Sequence, residues 1–259
     1  MNIMILLAAA LLPAIFLWIY IFRQDPQPEP KEQLAKAVLC GVIICFPVAL
    51  LEMGIQSVLF PNGLTSLADT TIAAFFVAAL PEEGFKLLAL WLILCRNPYF
   101  DEHFDGIVYA VCVGLGFAAF ENITYIFNEE ENWLGVAIAR ALLAVPGHYA
   151  FGVLMGYYYS LHHFVDHSTR TAVYILLVPV LAHGIYDAIA LTGTVDASIG
   201  ALAAFALIYF CVKMHKFAKK KMMAQIDRDK NKWTFKVWNI RWASLSQYYI
   251  VMLKSKGVR

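Results

Sequence analysis

The chain is short of charge. Of its 259 residues only 15% are Asp, Glu, Lys or Arg, while 61% are hydrophobic; an average soluble domain is about 25% charged. A soluble globular protein is excluded, and a multi-pass protein of the cell membrane is expected. Cysteine is scarce as well. Five are present, Cys40, Cys45, Cys95, Cys112 and Cys211, with no C-x-x-C pair, and all lie in or at the ends of apolar runs. Neither a disulfide framework nor a thiolate zinc site is suggested. Internal repeats and low-complexity segments are absent. Basic residues are thin over most of the length, because 13 of the 20 Lys and Arg lie from Lys213 onward, opposed there only by Asp227 and Asp229. The net charge of +1 therefore conceals a tail of +11 and a remainder of −10.

What is abundant is long apolar sequence. A span needs about 20 apolar residues, and seven runs qualify: about 2–22, 34–60, 70–95, 105–127, 133–161, 171–192 and 197–217. The first has no basic stretch before it and is too long for an ordinary signal-peptide core, so it is expected to be a retained helix. Lys and Arg mark cytoplasmic connections. They occupy the first connection (Arg23, Lys31, Lys36), the third (Arg96), the fifth (Arg170) and the tail, and are missing from the second, fourth and sixth. The expected fold is therefore all-α, a polytopic membrane bundle of about seven transmembrane helices with the N-terminus outside and the C-terminus cytoplasmic. Residues 1–217 would form the bundle, and 218–259 a cytoplasmic tail. Its stretch "KWTFKVWNIRW" reads as an interfacial segment held by Trp rings and by anionic lipids. No nucleic-acid partner is expected.

Polar residues inside the spans carry the information. The third run holds Glu82, Glu83 and Lys86; the fourth Glu121, Asn122 and Tyr125; the fifth Arg140 and His148; the sixth His183 and Asp187; the second adds Glu52. A charged side chain at a span's centre costs about 2.5–3.5 kcal/mol on insertion scales. Such residues read as functional by default, although Glu52, outside any motif, reads better as structural. Glu82 and Lys86, Glu121 and Tyr125, and His183 and Asp187 are each four residues apart, on one helix face. Small residues mark two of those faces: Gly106, Ala110, Gly114, Ala118 and Asn122 in the fourth run, His148, Gly152 and Gly156 in the fifth. Such stripes let helices pack closely in lipid.

At 1.5 Å per residue the polar groups lie about 7 to 22 Å from the outer ends of their spans. One polar cavity in the outer half of the bilayer would collect them. Pro81, Pro146 and Pro179 precede the glutamate pair, His148 and His183. Each lacks an N–H and frees a carbonyl one turn earlier, so broken backbone lining a watery cavity is expected.

These residues carry a resemblance. "PEEGFK" resembles an E-E-x-x-K motif, "FENITY" an F-E-x-x-x-Y motif, and "HGIYD" an H-x-x-x-D motif, with "RALLAVPGHYAFGVLMG" between the last two; together they are similar to the PrsW family of intramembrane proteases. The likeness covers about Ala79 to Ala190, within a protease-like core of about 70–192. It implies kinship with the glutamate-type CaaX-prenyl endoproteases and a substrate such as an anti-sigma factor in envelope stress signalling. Relative to the CaaX pattern, Lys86 stands where those enzymes have Arg, and Glu121 with Tyr125 replaces a His.

Chemistry argues in the same direction. Peptide hydrolysis needs a base for water, an acid for the leaving amine and donors for the oxyanion. Adjacent glutamates on a helix diverge by about 100°, so the two are not expected to hold one water together; one of them, Glu82 ahead of Glu83, is expected to activate water with a His while the other pairs with Lys86 or Arg140. His148 and His183 are candidates for proton transfer and oxyanion stabilisation, with Asp187 orienting His183. Glu121 joins the catalytic set; Lys86, Tyr125, Arg140 and Asn122 support it, Arg140 as a counter-ion. No cofactor is expected, with zinc the alternative: all six catalytic candidates can ligate, but no H-E-x-x-H is present and Lys86 puts positive charge where a dication would sit. The expected substrate is a single-pass membrane protein cut near its outer boundary. A proton-coupled transporter would show an inverted repeat or paired interrupted helices, which are not seen; a non-catalytic scaffold would not need the buried charges.

Overall fold

The computed structural model describes the backbone of residues 2–129 and 131–255, and side chains through Asn231. Among these residues every regular element is helical: α1 (Ile3–Gln24), α2 (Lys31–Leu59), α3 (Leu67–Ile72), α4 (Leu80–Leu94), α5 (Asp105–Asn128), α6 (Trp133–Ala139), α7 (Val145–Phe164), α8 (Thr169–Val195) and α9 (Gly200–Ser255). Six segments are long and apolar enough to cross a membrane: Ile3–Gln24, Lys31–Leu59, Asp105–Asn128, Trp133–Phe164, Thr169–Val195 and Ala197–Asn231. Each matches an expected span. The remaining one, 70–95, is also a continuous helical rod from Leu67 to Leu94. Glu82, Glu83 and Lys86 make it the most charged of the set, and all three are buried. The protein is a multi-pass membrane protein whose third rod is tolerated because its charges face inward.

The rod is not broken at its proline. A π-helical stretch, Ala73–Ala79, runs directly into α4, and a second, Arg140–Ala144, joins α6 to α7. The N–H of Leu80 bonds to the carbonyl of Phe75, and that of Val145 to the carbonyl of Arg140, each five residues back. Widening the turn accommodates Pro81 and Pro146 while keeping the chain helical, and π-turns of this kind are frequent at functional sites. This corrects the expectation of broken backbone at these two prolines. Pro179 sits inside an uninterrupted α8.

Helix α5 is the axis of the bundle. Every residue from Asp105 to Ala119 is buried, as expected of a helix apolar on all sides, and α1, α2, α4 and α7 pack around it. The small-residue stripes predicted on α5 and α7 face one another. A Cβ on Gly156 would fall 2.3 Å from the carbonyl oxygen of Gly106, and one on Gly152 3.1 Å from that of Ala110. A second close approach, not read from the sequence, brings Gly116 of α5 against the Val38 carbonyl of α2. The outer faces of α1, α2 and α9 expose Phe16, Leu50, Val58, Leu202 and Phe205, surface that suits acyl chains.

Helix α9 passes through position 217/218 without a break. Beyond it Ala218, Met222 and Ile226 are buried in the core, and Gln225 donates to the carbonyl of Tyr157 on α7. Asp229 accepts the backbone N–H groups of His103 and Phe104 at 2.9 and 2.8 Å. It thus serves the free donors at the start of α5. The side chains of the "KWTFKVWNIRW" stretch lie outside the described residues.

Candidate active site

The residues of the motifs meet. Helix α4 projects Glu82, Glu83 and Lys86 into the bundle, and the Lys86 ammonium makes three contacts: Glu82 Oε2 at 2.8 Å, Glu83 Oε1 at 2.8 Å and His148 Nδ1 of α7 at 3.1 Å. An ammonium has three protons, so all three are used. Nδ1 of His148 must then accept, which places the ring proton on Nε2, donated to Glu121 Oε2 of α5 at 2.9 Å. The same carboxylate oxygen accepts Arg140 Nη2 at 2.8 Å. Arg140 Nε donates to Asn122, whose amide donates in turn to the carbonyl of Ala10 on α1 at 3.0 Å. Arg140 therefore compensates Glu121, and Glu83 pairs with Lys86.

His183 of α8 completes the group from the other side. Its Nδ1 lies 3.0 Å from Glu83 Oε1 and 4.0 Å from Glu82 Oε2, and its Nε2 lies 3.2 Å from Asp187 Oδ2. Asp187, one helical turn on, thus lies in contact with the His183 ring. Phe151 stacks on the ring, with centroids 4.6 Å apart and planes at 19°, while Phe117 lies under the Lys86 ammonium at 4.3 Å. Neither aromatic was read as part of the site. Phe151 is three residues after His148 on the same helix, and that spacing was the available signal. Tyr125 sits against Arg140, its ring centroid 4.0 Å from the guanidinium carbon.

A cavity of about 500 Å³ opens onto this network. Glu82, Glu121, Tyr125, Arg140, His148, His183 and Asp187 all line it. Glu83 does not line it and is completely buried, whereas Glu82 keeps 5% of its surface. The two adjacent glutamates therefore differ in access, as their divergence on a helix requires. Glu82 can meet a water or a substrate; Glu83 is an internal anchor. Glu52 of α2, expected to be structural, also faces the cavity.

A divalent ion can be tested against these donors. Glu82, Glu83 and His183 offer ligand atoms within 4.8 Å of one another, the only such group among the described residues. Glu83 Oε2 is buried and has no hydrogen-bond partner. Catalytic zinc takes three N or O ligands plus water, and a ligating His commonly turns its second nitrogen to a carboxylate, as His183 does to Asp187. The donor set fits, although Lys86 already binds one oxygen of each glutamate.

Comparison with known proteins gives the family. The model of the PrsW family intramembrane metalloprotease matches residues 29–214. Protease PrsW of Geobacillus kaustophilus is 37% identical over 184 residues, 70% of this chain and 78% of that protein. Protease PrsW of Bacillus subtilis is 34% identical over 185 residues, 70% and 81% of the two chains. Protease PrsW of Halalkalibacterium halodurans is 31% identical over 225 residues, 86% of this chain and 99% of its own length. No solved structure matches.

Proposed function

Since the chain belongs to the PrsW family of intramembrane proteases, we propose that it hydrolyses a peptide bond of a single-pass membrane protein, with Glu82 as the base. The observation that carries this reading is the division of labour in the glutamate pair. Glu82 reaches the cavity, and Glu83 is sealed behind it and bonded to Lys86 and His183.

Glu82 takes a proton from a water in the cavity, and the water oxygen attacks the scissile carbonyl carbon. Lys86 holds both carboxylates in place throughout. The developing oxyanion takes an imidazole N–H: His183 stays anchored through Nδ1 on Glu83 and turns its Nε2–H from the partly exposed Asp187 to the oxygen as charge develops. As the C–N bond breaks, Glu82 returns the proton to the leaving amine. His148, a neutral donor to Glu121, ties α7 to α5 and keeps the cavity wall in register. Glu82, Glu83 and His183 would hold a divalent ion, which when bound supplies Lewis acidity and a more acidic water.

The family resemblance suggests a substrate like an anti-sigma factor, and in the orientation that the loop charges favour the polar cavity would open in the outer half of the bilayer, so the cut is expected near the outer membrane boundary. Membrane proteomes from cells carrying the intact chain and the Glu82→Gln variant test this. One single-pass protein should be shortened only with the intact chain, with its new terminus at the outer boundary. Identical proteomes, or a cut in a cytosolic region, would contradict the reading. A cysteine at Glu130, which lies outside the described residues, should likewise react with an impermeant reagent added outside.

A further inference from the structure

Glu52 is the cavity's unmatched carboxyl. Helix α2 turns Cys45, Val48, Ala49 and Glu52 to the cavity, positions 0, 3, 4 and 7 along the chain and hence one helical face. The carboxylate is therefore aimed at the cavity by the same face that packs α2 into the bundle. Among the described residues it makes no hydrogen bond and no ion pair, and its Oε1 is shut off from solvent without a partner. Every other carboxylate on the wall has a basic neighbour: Glu82 has Lys86, Glu121 has Arg140, and Asp187 has His183. Lys86 and Arg140 are both committed to those other carboxylates. Glu52 is half-buried, with one oxygen cut off from solvent; a carboxyl so placed is costly to keep ionised without a partner, and a cation entering the open cavity would supply one.

We infer that Glu52 is a specificity-determining residue that binds a lysine or arginine side chain of the substrate. This rests on the proteolytic reading of the same cavity. A neutral donor, such as a peptide N–H, would satisfy the oxygen but leave the charge. A cationic side chain does both, and a site built to pair a polar group discriminates strongly against the analogue that lacks it. The site thus holds two functions at different places on its wall: Glu82 at the scissile bond and Glu52 at a flanking side chain.

The test is capture of single-pass peptides in nanodiscs by the full chain carrying Glu82→Gln, which binds without cutting. One Lys, or Gln in its place, is stepped through the apolar segment and both of its boundaries. At one register the Lys peptide should be captured at least tenfold more than its Gln twin. Adding Glu52→Gln, nearly isosteric, should abolish that preference with an unchanged thermal melt, and Glu52→Lys should reverse it toward a Glu peptide. Equal capture at every register, or a preference that survives Glu52→Gln, would overturn the inference. The intact chain is assayed on the same peptides, so the two readings fail separately: preference without cutting sinks the hydrolytic role, and cutting without preference sinks the role of Glu52.

Discussion

Two buried polar clusters lie along α5, about 24 Å apart at 1.5 Å per residue, and they do different work. Near Glu121 and Asn122, carboxylates from α4, α5 and α8 meet Lys86, Arg140 and two histidines, and the group faces a cavity. Near Asp105, carboxylates instead serve helix starts and hydroxyls. Asp105 accepts the N–H groups of Asp101 and Glu102, Asp229 those of His103 and Phe104, and Glu29 the hydroxyl of Tyr109. Burial pushes the Asp25 carboxyl up to about 6 and that of Glu29 to about 7. Buried acid is thus common to both ends. What separates the candidate reaction centre from the structural clasp is the pairing of carboxylates with fixed cations around accessible space.

The sharpest way to break this contrast is Lys86→Met. The change leaves Glu82 and Glu83 without their shared cation, and removing one partner of a buried pair costs about 3–5 kcal/mol. Cleavage should vanish and the thermal transition in detergent should drop steeply. A stable and active Lys86→Met protein would show that the cation holds nothing together.

Packing comes next. Gly156→Val forces a side chain into the Gly106 backbone, and overpacking costs about 1–3 kcal/mol. Stability and activity should fall together, because the α5–α7 seam carries His148 and Glu121. A Gly156→Val protein as stable as the parent would mean that the helices do not meet so closely.

At the clasp the loss should be confined to stability. Asp229→Ala removes a helix-start acceptor, worth about 1 kcal/mol, with cleavage retained below the lowered transition and Asp229→Asn in between. Loss of cleavage at full stability would mean that the clasp reaches the centre. The smallest effect is the pH dependence of Glu29. Its folded carboxyl takes up its proton more readily than the unfolded one, so the folded state binds more protons between about pH 4.5 and 7, and stability falls as pH rises through that window. Glu29→Gln, which still accepts from Tyr109, should flatten this slope in melts from pH 5 to 8. An unchanged slope would locate the dependence elsewhere.

The cluster at the cavity was legible in the sequence and the clasp was not, for a physical reason. Charge inside an apolar run is costly, so Glu82, Lys86, Glu121, Arg140, His148, His183 and Asp187 stood out against their surroundings. Asp25, Glu29, Glu102 and Asp229 occur among polar neighbours, where nothing local separates a buried acid from a solvated one. The helices were equally visible, since their length follows the bilayer. The π-turns were half visible: Pro81 and Pro146 announced a disturbance, but whether the helix breaks or widens depends on which carbonyl the next free N–H can reach. Glu52 was seen, but only the packing of α2 shows that its face is the cavity's.

The most direct measurement is cleavage by purified protein reconstituted with a single-pass substrate, intact chain beside Glu82→Gln. General-base removal typically costs about 10²–10⁴-fold in rate, and Gln nearly keeps the shape. The account predicts loss of cleavage with an unchanged thermal transition; full activity in Glu82→Gln would contradict it.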